Sequence, residues 1–155
     1  MIDPKFDGKD HLNVWSRAKT SVGQWMSNFY LSPFDHHRYG HFASMEAYWY
    51  WIATGRSHDE LRPLYGFSAK SAGSRIETVP MEDLDFQEAI KEGITAKAQA
   101  YPEHLDQLAN YAGWPFYHYF VYGDKIVDRT DRHKWQLEHW QSLAQHQSDL
   151  KRMRI

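Results

Sequence analysis

Between Phe42 and Gly55 the segment FASMEAYWYWIATG carries one charged residue, Glu46. On a helix its neighbours three and four positions on are Trp49 and Tyr50, so its carboxyl faces apolar walls that withhold solvation and raise its pKa. A carboxyl held in that way works as a general acid or base near neutral pH. The plainer alternative is that Glu46 sits in the first helical turn because a negative charge suits a helix N-terminus, or that it points to solvent. A second group is Ser27, Asn28 and Phe29, inside the stretch GQWMSNFYLSPF bracketed by Gly23 and Pro33. An amide in a ring-lined turn hydrogen-bonds a sugar hydroxyl or a base edge, with Phe29 or Phe34 stacking on the ligand; the competing reading is an Asx-turn whose rings belong to the core.

Two lysines extend the set. Lys19 stands between the first expected strand and the Ser-Asn turn, a path that brings its amine towards Glu46, and Lys70 lies in the small-residue stretch SAKSAG. Beside apolar rings a lysine sheds part of its charge and becomes a nucleophile towards a sugar C1; at a strand end it is otherwise a solvated charge. His36, His37 and His41 in DHHRYGH do not form a metal set, because Gly40 interrupts helical spacing and no Cys or carboxylate pattern completes one. The run WPFYHYF, Trp114 to Phe120, reads as core and hairpin packing with one ring available to a nucleobase. The later DRTDRHKW adds Asp128, Asp131 and Trp135, and neither a glycine-rich phosphate loop nor a Gly-x-Ser-x-Gly elbow is present.

Helices must position most of these groups. Ser44 as N-cap and Gly55 as stop predict a buried helix over about Phe42 to Thr54. Leu84, Ile90, Ile94 and Ala98 predict an amphipathic helix from about Met81 to Ala100, and Pro102 opens another through Leu105 and Leu108. A last helix from about Arg132 carries Trp135, Leu137, Trp140 and Leu143, with residues 141–155 as its end. SHDELRPLYG suits a helical turn broken at Pro63, and SAKSAGSRIE a short helix or loop. Residues 1–11 read as a polar lead-in, HLNVWS as a strand with Leu12, Val14 and Ser16 on one face and AKTSVG as its close. YHYFVYGDKIVDR reads as a β-hairpin. The expected class is α+β, mainly helical with a few short strands, in a single domain over 1–155.

Composition agrees with a ring-rich core or pocket: 16% of the 155 residues are aromatic, with seven Trp and ten Tyr. A formal net charge of -2 and scattered basic residues argue against a broad phosphate-tracking stripe, so affinity for nucleic acid should depend modestly on salt. The absence of Cys removes disulfides, thiolate zinc and a Cys nucleophile. No apolar run suggests a signal peptide or a membrane span, and a cytoplasmic protein is expected.

The order Gly23, Ser27, Asn28, Phe29, then Pro33 and Phe34, then Gly40, Phe42, Ser44, Glu46 and Tyr48 resembles the motif of the NADAR superfamily, with one extra residue between Gly23 and Ser27. The resemblance runs more loosely through AKSAG to the C-terminal Asp and Trp, over roughly residues 13 to 140, and VWSRAKT and SNFYLSPF look most like the phage-encoded branch. It implies a NADAR-like fold and an enzyme that hydrolyses N-glycosidic bonds at a ribose C1. Members remove ADP-ribose from guanine in DNA, reversing toxin ADP-ribosylation, and relatives cleave a ribosylamino-pyrimidine of the riboflavin pathway. The implied substrate partner is ADP-ribose or ADP-ribosylated nucleic acid, in a host cytoplasm if the gene is phage-borne, with no metal or other cofactor.

On this resemblance Glu46 is the acid or base at the glycosidic bond, and Lys19 the amine that captures the opened ribose as a Schiff base. Asn28 orients the ribose or base, and Ser27, Phe29, Phe34, Tyr48, Lys70, Asp131 and Trp135 complete the substrate-binding set. Two positions depart from the pattern: Ala47 stands where many members have His, and Thr54-Gly55 where many have Lys at the helix end. A binding module that holds ADP-ribose without turnover is the reading from another class, favoured by the missing His and opposed by the intact Glu46.

Overall fold

The Ser44 side chain accepts the Ala47 amide at 3.1 Å, which starts a helix, and Gly55, at φ +105°, follows its end. Asp83 does the same for the longest mid-chain helix by accepting the Phe86 amide at 2.8 Å. A computed structural model describes residues 1–154, and in chain order its elements begin β1 (Leu12–Asn13), α1 (Ser21–Met26), β2 (Phe34–His36), β3 (Gly40–Phe42) and α2 (Met45–Ala53). There follow α3 (Gly66–Ser74), α4 (Leu84–Ala100), α5 (Pro102–Leu108), β4 (Phe116–Tyr117), β5 (Tyr119–Tyr122), β6 (Lys125–Asp128) and α6 (Lys134–Arg152). The class is mixed α+β and mainly helical. Among the described residues no helix is long and apolar enough to cross a membrane.

Backbone contacts sort the chain into two units, one of residues 28–101 and one of residues 1–27 with 102–154. In the first, α2 packs on α3 and α4, and the antiparallel pair β2–β3 sets Phe34 opposite Phe42. Tyr48 fills the α2–α4 contact: it is fully buried, and its hydroxyl donates to the Ala89 carbonyl at 2.6 Å. Gly93 lets the helices approach there, since a Cβ at that position would run into the Tyr48 ring.

In the second unit β1 pairs in parallel with β4, and β5 with β6 forms the expected hairpin. Gly123, at φ +60°, takes the first central position of the two-residue turn, as a II′ turn requires. Trp25 of α1 meets Trp140 of α6 with ring centroids 5.2 Å apart, and both rings are buried. The Asn13 amide joins β1 to β5 by exchanging two 3.0 Å hydrogen bonds with the Tyr119 backbone.

Five expectations are corrected. AKTSVG does not close a strand: the Thr20 hydroxyl accepts the Gly23 amide at 2.9 Å and starts α1, so Gly23 lies inside a helix, where its missing Cβ admits the Asn13 carbonyl. The strand HLNVWS shrinks to two residues, with both Leu12 and Asn13 buried. Phe42 belongs to β3 rather than to the buried helix, and Leu84, expected inward, is 75% exposed at the first turn of α4. The lead-in is not merely polar surface either, because the buried Asp7 carboxylate accepts the amides of Asn13 and Lys19 at 3.0 and 2.9 Å.

Candidate active site

Glu46 is the second residue of α2, and its placement follows from the cap before it. The Ser44 hydroxyl, besides capping, donates to the Leu64 carbonyl at 2.9 Å, so the first turn of α2 is held from two sides. The Glu46 amide, one of the donors that a helix leaves without an internal partner, donates instead to the Asn28 carbonyl at 2.9 Å. The Ser-Asn-Phe segment is thereby fastened through its backbone to the residue that carries the carboxyl. Sequence spacing of 18 positions collapses to one hydrogen bond.

The Glu46 side chain is buried, and burial pushes its pKa from 4.5 up to about 7, with the Lys70 ammonium pulling the other way. Tyr50, one turn on, is raised by its own burial and then by the Glu46 charge. Beneath Tyr50 runs α3, where a Cβ at Gly73 would run into the Tyr50 side chain; the glycine is what lets α3 come close. The same helix presents Phe67 and Lys70. Phe67 meets Phe29 edge to face at 5.0 Å, and the Lys70 amine lies 6.0 Å from the Phe29 ring centroid. Phe67 is 76% exposed and Lys70 is exposed, so this side of the unit offers rings and a cation to solvent near a carboxyl kept dry.

Glu46, Asn28, Phe29, Phe34, Tyr48 and Lys70 all fall in the unit of residues 28–101. Phe34 and Tyr48 are core rings there, 2% and 0% exposed; Phe34 packs 5.8 Å from Tyr48 and 6.0 Å from Phe42. Their part is to support the wall behind α2. Lys19, Ser27, Asp131 and Trp135 belong to the other unit. Lys19 is exposed there, while Ser27 is buried at the end of α1, with its amide on the Gln24 carbonyl. Asp131 is exposed and opens the turn before α6, and Trp135 is half-buried on that helix.

The histidines are structural in their contacts. His36 is 2% exposed and stacked between His37 and Tyr39, at 4.6 and 4.7 Å, and its Nδ1 accepts the amides of Arg38 and Tyr39. His41 pairs with Asp35 at 2.9 Å on the surface. Among the described residues no group of three His, Cys, Asp or Glu side chains is arranged to hold a metal ion.

Two side chains of chemical interest escape the sequence reading. Phe67 gives no signal in SAKSAG, which lies just after it, because its role depends on where α3 docks. Lys97 does give one: it follows Ile90, Gly93 and Ile94 at helical spacing on the inward face of α4. It is fully buried, and burial lowers its pKa from 10.5 to about 7. No family model matches the chain, nor does any curated protein or any solved structure.

Proposed function

We propose that the chain is an N-glycosidase of the NADAR type, which breaks the bond between a ribose C1 and the nucleobase nitrogen that carries ADP-ribose in nucleic acid. One observation carries the reading: a buried carboxyl, with its pKa raised to about 7, is anchored through its backbone to Asn28 and feels the charge of Lys70, an amine that lies over the Phe29 ring where Phe29 meets Phe67. Cleaving a C1–N bond leaves negative charge on the base and positive charge on the sugar. The protonated Glu46 gives its proton to the departing base, and the carboxylate so formed then stabilises the cationic sugar. Water closes the step by bonding its oxygen to C1 and returning a proton to Glu46.

A lysine amine is the other nucleophile, in which case the opened ribose is held as a Schiff base until water releases it. Lys19 and Lys70, the second of which acts on Glu46 through its charge, are the two candidates for that part. Guanine in DNA is the proposed carrier, and reversal of a toxin's mark during phage infection, in the host cytoplasm, the proposed setting. The Cys-free composition suits a reducing compartment.

The test is hydrolysis of a guanine-linked ADP-ribosyl oligonucleotide by wild type, Glu46→Gln, Lys19→Ala and Lys70→Ala. The mass of the oligonucleotide and, after borohydride trapping, of the protein is read. Release by wild type, lost in Glu46→Gln with binding retained, is expected. Binding of ADP-ribose without release by wild type would sink the enzyme reading.

A further inference from the structure

In the unit of residues 1–27 and 102–154, the β5–β6 hairpin carries one face that its own packing does not use up. Strand alternation puts Phe120 and Tyr122 on that face, with Val127 and Lys125 as their cross-strand partners. Trp15, just after β1, joins them: its ring lies 5.9 Å from Phe120 and 6.4 Å from Tyr122, and those two rings are 6.3 Å apart. Tyr122 is 55% exposed, and Trp15 and Phe120 are half-buried. The Arg17 guanidinium stands 5.5 Å from the Trp15 ring centroid, Lys125 flanks Tyr122, and the Arg129 amide continues the ladder to the His118 carbonyl.

Arg17, Lys125 and Arg129 are exposed, and none takes part in an ion pair among the described residues. Of the hairpin's acids, Asp124 lies in the turn and Asp128 opposite Tyr119, which strand alternation puts on the reverse face, with its charge reaching His118. Three rings with three cations held in no ion pair around them match a polyanion whose units have flat faces. We infer that this face binds single-stranded nucleic acid, bases stacking on Tyr122 and Trp15 and phosphates meeting Arg17, Lys125 and Arg129. A duplex hides its base faces, so it meets only the cations. The inference does not rest on the hydrolysis proposed above, because none of these residues takes part in it.

The experiment is fluorescence-anisotropy titration of an unmodified oligothymidylate of about 15 nucleotides and of a duplex of equal length. The proteins are wild type, Tyr122→Ala, Lys125→Glu and Glu46→Gln, each checked for folding by circular dichroism. Wild type and Glu46→Gln should bind the single strand alike and more tightly than the duplex. Tyr122→Ala should weaken binding about tenfold, the worth of one stacked base. Three phosphate contacts give a slope of log K against log salt of about -2, and Lys125→Glu should make it shallower. No saturable binding at 50 mM salt, equal affinity for duplex, or unchanged binding by both folded surface variants would each overturn the inference. Glycosidase activity with no such binding, or binding with no activity, separates the two proposals.

Discussion

Replacing Glu46 by Gln should make the protein more stable in alkaline solution and leave it unchanged in acid. In the fold the carboxyl keeps its proton up to about pH 7, whereas the free group loses it near 4.5. Between those values the native chain binds a proton that the unfolded chain has released, so stability falls as pH rises and the full penalty stands above about pH 7. At about 1.4 kcal/mol for each tenfold difference in proton affinity, the gap amounts to about 3 kcal/mol. Glutamine has the size of the protonated acid and no charge to desolvate, so it removes that penalty and the small Lys70 attraction with it. For a chain of this length about 3 kcal/mol moves the melting temperature by roughly 6 to 12 °C. Thermal melts of both proteins from pH 4.5 to 8.5 should therefore start together and separate progressively, with the variant higher. Parallel curves, or a variant that melts lower at pH 8.5, would refute the claim that Glu46 is a desolvated acid.

Lys97 should produce the opposite slope. Its amine, at about 7 in the fold against 10.5 when free, is bound less tightly to its proton by the native chain, so stability rises from about pH 7 towards 10.5. Lys97→Met should flatten that rise in urea titrations at pH 7.5 and 10. Lys70→Met removes the cation that lowers the Glu46 pKa, and the carboxyl-carbon titration of Glu46 followed by NMR should move above its wild-type midpoint near 7. Gly93→Ala should destabilise by about 2 kcal/mol despite the better helix propensity, because the Tyr48 ring it meets is held by the Ala89 carbonyl; Tyr48→Phe, measured alongside, should lose about 1 kcal/mol.

Local chemistry explains which parts of this molecule can be read from its residues. Ser44 and the Gly123-Asp124 turn act within four positions of themselves, so the start of α2 and the β5–β6 hairpin follow from the sequence, whereas α4 begins at Leu84, after its Asp83 cap, and not at the expected Met81. The buried state of Glu46 is legible for the same reason, since Trp49 and Tyr50 lie on its own helix. Gly23 was misleading because a glycine looks alike whether it turns the chain or makes room for it, and here it makes room for Asn13 from a strand ten residues earlier. The tertiary structure alone decided that the Asn28 carbonyl takes the Glu46 amide, that Phe67 and Lys70 of α3 stand against Phe29, and that Trp15 meets Phe120 and Tyr122 across more than a hundred residues. Those contacts join elements whose separate patterns carry no record of each other. Packing and the closing of long loops select them, and no local propensity encodes that choice.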